Sequence, residues 1–148
     1  MRLGVAVLWV SLSCWSGINH CPAAETFSVA SYNVENYLDV AAGTRKVKPP
    51  EAKAKLREMI RALNADVLAL QEMGGTNALL ELRASLRKEG LDYPHWEHVS
   101  GADTNIHVAV LSRFPFGANR HHTNDNFLLN GRRFQVSVLE AVLARQGM

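Results

Sequence analysis

The stretch Ala65-Asp66-Val67-Leu68-Ala69-Leu70-Gln71-Glu72-Met73-Gly74-Gly75 decides how this chain is read. An apolar run from Val67 to Leu70 goes straight into Gln71-Glu72 and stops at two glycines. A run of that length bounded by turn residues reads as a buried strand, of the kind parallel sheets cover on both faces. A carboxylate at the last position of such a strand is costly to bury unless it is paired or holds a metal. In open α/β sheets, ligands gather at the carboxyl ends of the strands. Glu72 is therefore the first candidate for chemistry. A solvated strand end followed by an ordinary glycine turn accounts for the same residues equally well.

Upstream, Glu51 to Leu63 reads as a helix, with Leu56, Met59, Ile60 and Leu63 at i, i+3, i+4, i+7 spacing. Pro49-Pro50 blocks helix before Glu51, and Asn64 is a plausible stop. Further back, Thr26 to Asn33 alternates, with Phe27, Val29, Ser31 and Asn33 on one face and Ser28, Ala30 and Tyr32 on the other. This is a strand ending in the polar cluster Asn33-Val34-Glu35-Asn36. Strand, helix, strand makes a βαβ unit with parallel strands. Both strands then end at one edge of the sheet. The reading predicts that Asn33 and Glu72 meet there, within reach of a metal ion and its waters.

Downstream, Thr76 caps a second helix running to about Lys88, with Leu79, Leu82 and Leu86 as its stripe and Gly90 after it. Trp96 to Ser100 and Ile106 to Leu111 read as strands, Gly117 to Asn130 as a polar loop. Arg132 to Leu143 reads as a long strand with Phe134, Val136 and Val138 on one face, and Gly147 sits where a further hairpin turn would begin. There is no internal repeat, low-complexity tract or linker.

A length of 148 residues fits one domain, and 47% hydrophobic with 20% charged residues is an ordinary globular composition. A formal charge of +2 is too small to argue for a polyanion partner, so any nucleic-acid affinity must come from local patches. Met1-Arg2, the apolar run Leu3 to Leu12 and the small residues Pro22-Ala23-Ala24 form the three-part pattern of a secretory signal peptide. The run is too short to span a bilayer. The expected division is a signal peptide over 1–24 and one domain over 25–148, secreted or periplasmic, with no membrane span. Cys14 has the look of a lipoprotein cysteine, but Ser11 stands where such signals carry an aliphatic residue, which favours simple cleavage. Cleavage removes Cys14 and Cys21, the only cysteines, so the mature chain relies on its core and not on disulfides.

Three segments now stand in order: Ser31-Tyr32-Asn33-Val34-Glu35-Asn36, Leu70-Gln71-Glu72, and Val108-Ala109-Val110-Leu111-Ser112-Arg113. In this order and spacing they resemble the endonuclease/exonuclease/phosphatase superfamily, the hydrolases with the deoxyribonuclease-I-like fold. The resemblance covers the chain from Thr26 onward. It implies a four-layer α/β sandwich of two packed sheets with helices outside. It implies hydrolysis of a phosphoester with Mg²⁺, or Mn²⁺ in its place. DNA, RNA, a phospholipid head group and a small phosphate ester all remain open as substrate. Asn33 would hydrogen-bond phosphate or the attacking water, and Glu72 would be the metal ligand. Ser112 and Arg113 would be mainly structural.

The departures are as informative. The family carries an Asp-x-Asn pair, a histidine and a terminal Asp-His pair after the strand read at Arg132 to Leu143, and none follows here. Asp103-Thr104-Asn105 mimics the Asp-x-Asn pattern but precedes the third motif, so its role is not carried over. His121 and His122 read as solvated loop histidines, His107 as a packed strand histidine, and Arg132-Arg133 as solvated charge. The resemblance thus implies an N-terminal half of the domain, incomplete at the C-terminus and inactive alone. The competing reading is a non-catalytic pseudoenzyme or truncated gene product that retains half of a metal and phosphate pocket. A small self-contained binding domain is a third.

Overall fold

The computed structural model describes residues 26–144 except Ala102. The segment read as a signal peptide and the turn expected at Gly147 lie outside the described residues. The elements run β1 (Val29–Tyr37), α1 (Pro50–Leu63), β2 (Val67–Met73), α2 (Thr76–Lys88), β3 (His95–Val99), β4 (His107–Ser112), β5 (Phe116–Leu129) and β6 (Arg132–Leu143).

The first four strands form one sheet in the order β1-β2-β4-β3. β1 and β2 are parallel, with Val29 opposite Val67 and Asn33 opposite Gln71, as the βαβ reading requires. β4 runs antiparallel to both β2 and β3. β3 therefore points the same way as β2, and the carboxyl ends of β1, β2 and β3 share one edge.

Both helices pack on one face of this sheet. Leu56 and Ile60 of α1 and Leu79, Leu82 and Leu86 of α2 join Leu68, Leu70, Ala109 and Leu111 in a single buried cluster. Ala30, Tyr32 and Trp96 pack against it. The helical face of β1 is thus the Ala30/Tyr32 side. Val29 and Phe27 lie exposed on the other. Met59 and Leu63, read into the stripe of α1, are about half exposed. The contact with α2 and the sheet is narrow enough that Leu56 and Ile60 fill it.

Pro50 occupies the first turn of α1, where its missing N–H costs nothing, and Asn64 closes the helix in the left-handed region. The N-cap of α2 is Gly75 and not Thr76, which lies inside the first turn without a side-chain cap bond. Extended glycine fills a cap position acceptably.

The largest correction concerns residues 117–130. They are not a loop but most of β5, which pairs antiparallel with β6 in a separate two-stranded sheet. The turn is Asn130-Gly131, with φ of +50° and +74°. Two consecutive positive φ values are what a tight hairpin turn needs, and Asn-Gly supplies them at low cost.

The hairpin lies on the face of the main sheet opposite the helices. Asn119 donates to Glu97 of β3 at 2.7 Å, and His95 meets Phe116 edge to face. The molecule is therefore mixed α/β with two sheets and two helices, layered as helices, sheet and hairpin. Among the described residues nothing covers the hairpin's outer face. Phe134, Val136 and Val138 share that face, as the alternation indicated, but are 41%, 37% and 46% exposed. Phe127 stacks on Phe134 there.

An open apolar face on a hairpin with unpaired edges invites self-association. The isolated chain is expected to aggregate on concentration, and Phe127→Ser/Phe134→Ser to reduce this in sedimentation velocity. A wild-type chain that stays monomeric with a sharp cooperative melt would contradict the expectation.

Candidate active site

β1 and β2 stay in register up to Asn33 opposite Gln71, and resume at Tyr37 opposite Met73. Between these pairs Val34, Glu35 and Asn36 all face the single residue Glu72. Three residues against one is a pronounced bulge, and bulges re-aim side chains beside functional sites. Its backbone is unusual on both strands. Glu35, Asn36 and Glu72 have φ of +49°, +55° and +57°. Asparagine tolerates this region, whereas glutamate adopts it at a cost of order 1–3 kcal/mol that surrounding contacts must offset.

The bulge brings the two sequence-predicted residues together. Asn33 Nδ2 donates to Glu72 Oε1 at 2.8 Å. The amide oxygen of Asn33 accepts the backbone N–H of Glu35, also at 2.8 Å. These two bonds fix which way the amide points. They leave one Nδ2 hydrogen free to donate, and Glu72 Oε2 has no protein partner among the described residues. Glu72 is half-buried and is not the last residue of its strand, since Met73 follows it into the core. Beside the pair, Gln71 Nε2 donates to Ser31 Oγ at 2.8 Å, extending a polar ladder across the face away from the helices.

Several features that the sequence did not single out hold this edge in place. Gly74 N–H donates to the Tyr37 carbonyl at 2.9 Å. Tyr37 is fully buried, and its hydroxyl donates to Glu81 Oε2 at 2.7 Å. Burial, then the Glu81 carboxylate, push the Tyr37 phenol well above its ordinary value. Burial acts to raise the Glu81 pKa, but bonds from Lys53, Tyr37 and Ser85 outweigh it and hold the carboxyl below its usual range. On the other side, His98 Nε2 lies 2.9 Å from the Gly74 carbonyl, which can only accept, so that nitrogen carries the proton.

His107, read as a packed histidine, is one. Its ring meets His98 edge to face at 4.8 Å, and its Nδ1 is buried without a partner. Burial, then His98, depress its pKa, while Asp103 opposes them. The folded chain thus holds His107 neutral where the unfolded chain would protonate it. Stability is complete above the ordinary imidazole value of about 6.5 and falls as pH drops below it towards the folded value. A pH series of thermal melts should show this loss, and His107→Phe should flatten it. Equal slopes in both proteins would contradict the assignment.

The remaining candidates lie elsewhere. His121 and His122 are on β5 and not in a loop. His121 sits 3.3 Å from Glu97 and His122 3.3 Å from Glu140, and neither touches the Asn33–Glu72 pair. Arg113 of the third motif is at the opposite end of the sheet, where it bonds Asp66 Oδ1 at 2.9 Å and Asn64 Oδ1 at 2.6 Å. That is a structural fastening of β4 to the start of β2. Arg132 and Arg133 are exposed at the hairpin turn.

The donors at the bulge are hard oxygens: the free Glu72 oxygen, and the buried, unpartnered Asn36 Oδ1 on the segment of β1 that faces Glu72. This set suits Mg²⁺, which keeps most of its waters and needs only one or two carboxylates. Among the described residues no three His, Cys, Asp or Glu side chains converge on one point.

An α/β sheet with a paired carboxylate and carboxamide at its carboxyl edge defines a class, the open-sheet proteins that bind ligands where their strands end. Residues 30–145 match the model of the Endonuclease/Exonuclease/phosphatase family. The chain belongs to that family, whose members are phosphoester hydrolases that generally depend on a divalent metal. No curated protein matches it. No described helix is long and apolar enough to cross a membrane.

Proposed function

We propose that this chain supplies the metal- and phosphate-holding part of a phosphoester hydrolase centre, with Mg²⁺ or Mn²⁺ held by Glu72. The observation that carries the reading is the 2.8 Å bond from Asn33 Nδ2 to Glu72 Oε1 at the bulge, in a chain of this family. A bound metal would polarise a phosphoryl oxygen and offset charge on the leaving oxygen. Glu72 would hold it through the oxygen that Asn33 leaves free. Asn33 would donate its second Nδ2 hydrogen to a phosphate oxygen or the attacking water, its plane already set by Glu35 N–H. Pre-set donors of this kind need no reorganisation when charge develops.

The same residues set the limit of the chain's chemistry. Among the described residues the pair belongs to no cluster of three His, Cys, Asp or Glu side chains, and it makes no hydrogen bond to the side chain of a second acid or a histidine. The pair offers groups for binding and orientation and, among the described residues, no bonded partner for proton transfer. The chain alone is therefore expected to bind bis-p-nitrophenyl phosphate only with Mg²⁺ present, and to turn over neither it nor plasmid DNA. Equilibrium dialysis with and without chelator tests the first part. Binding indifferent to Mg²⁺ would contradict the reading, and robust chelator-sensitive turnover would contradict the lack of a base.

A further inference from the structure

The loop after β1 and the loop after β3 leave the same edge of the sheet but from opposite sides of it, because β1 and β3 are its two outer strands. Three inter-strand steps separate them, roughly 14 Å at the usual spacing. They nevertheless meet. Arg45 Nη2 lies 3.0 Å from Asp103 Oδ2, and Nη1 lies 3.4 Å from Oδ1, a forked contact. Both partners are prepared for it. Arg45 closes a small turn through two backbone bonds with Ala42, each of 3.0 Å. Asp103 Oδ1 accepts the N–H groups of Asn105 at 2.9 Å and Ile106 at 3.3 Å. Those amides first, and Arg45 after them, hold the Asp103 carboxyl below its usual range.

We infer that the Arg45–Asp103 pair is a strap that positions the Asn33–Glu72 site, acting through the β1 bulge. The path is continuous in the backbone. Arg45 fixes the middle of the loop that runs from Leu38 to Pro49. Leu38 N–H donates to the Asn36 carbonyl at 2.8 Å, and Glu35 N–H holds the Asn33 amide oxygen. Glu35 and Asn36 sit in the left-handed region, so a freed loop lets them relax towards ordinary φ and takes the Glu35 bond with it. Arg45 and Asp103 are positioning residues, since neither touches the Asn33–Glu72 pair. Asp103-Thr104-Asn105 gains a role here that differs from the one its pattern suggested.

The inference rests on the metal-site reading, and the test separates the two. Mn²⁺ binding to the full chain is measured by electron paramagnetic resonance for Arg45→Gln, Asp103→Asn and Arg45→Lys, with Glu72→Gln as control. Asp103→Asn keeps the Oδ1 acceptor and removes the charge. Positioning predicts that Arg45→Gln and Asp103→Asn both weaken Mn²⁺ binding, by about threefold to tenfold, with Arg45→Lys between them and the wild type because it keeps the charge but not the fork. Bare electrostatics predicts opposite signs, tighter binding without the cation and weaker binding without the anion. Hydrogen exchange of the metal-free chain supplies a second readout. The amides of Glu35 and Leu38 should exchange at least tenfold faster in both charge-removing variants. Opposite signs in the Mn²⁺ series, or faster exchange confined to residues 39–45 and 103–106, overturns the strap. Unchanged Mn²⁺ binding in Glu72→Gln overturns the metal-site reading instead, and the exchange result still decides the strap.

Discussion

Glu72→Gln is expected to raise the dissociation constant for Mn²⁺ at least tenfold, a loss of about 1.4 kcal/mol or more. The substitution keeps the shape of the side chain and the acceptor that Asn33 uses at 2.8 Å, so the bulge should survive. What it removes is the anionic oxygen that faces no protein donor. A hard divalent ion with one protein carboxylate has little else to hold it. In any assembled centre that turns over, the same change should lower the rate by orders of magnitude, because the metal's polarising effect goes with it. Asn33→Ala removes one neutral hydrogen bond, worth about 1 kcal/mol, and should therefore cost less. The comparison is made by titration with Mn²⁺ under identical salt. Equal losses from both variants would mean that the carboxamide is itself a ligand and that Glu72 does not hold the ion alone.

Gly74→Ala should be strongly damaging to the sheet edge that carries the site. A Cβ built on Gly74 comes within 2.6 Å of the Tyr37 carbonyl oxygen, and within 3.1 Å of both the Leu38 Cα and the Ala78 Cβ. Two of these neighbours are backbone and cannot rotate away. Relief requires Tyr37 to move, and Tyr37 is fully buried at the foot of the bulge. Overpacking of this kind costs about 1–3 kcal/mol, and the upper part of that range is expected. Thermal unfolding measures the loss. Because the Tyr37 carbonyl also accepts from Gly74 N–H, the proposed metal site should weaken with the fold. A variant that melts like the wild type would show that the edge is softer than its contacts indicate. At Gly75 an added Cβ meets nothing within 4 Å, so the loss there is limited to the poorer capping of α2 by alanine.

The meeting of Asn33 with Glu72 was legible because it depends on topology alone. Two strands with a helix between them must be parallel, and parallel strands end together. The helical core was legible for a similar reason, since leucines at helical spacing in α2 have one face to bury. Met59 and Leu63 show the limit of that argument, because spacing defines a stripe but not how much of it the neighbouring layer covers. β5 does not look like a strand because His121-His122-Thr123-Asn124-Asp125-Asn126 is polar, and Asn130-Gly131, the strongest local sign of a hairpin, is what marks it. A strand on a thin outer layer need not be apolar.

Some of the site could not have been read from the residues at all. Nothing in Leu70-Gln71-Glu72 announces that glutamate takes a positive φ, since the strain is imposed by the three residues of β1 that face it. The Arg45–Asp103 contact joins positions 58 residues apart, and no local pattern marks either partner for the other.

The most direct test of the account is a map of where a divalent ion binds. Substoichiometric Mn²⁺ added to the ¹⁵N-labelled chain should broaden the backbone signals of Asn33, Glu35, Gln71 and Glu72 and the side-chain amide of Asn33 before any others. Added Mg²⁺ should restore them. Broadening centred on Glu97 and His121 or on His122 and Glu140, with the Asn33 amide unaffected, would contradict the account and move the metal to the hairpin.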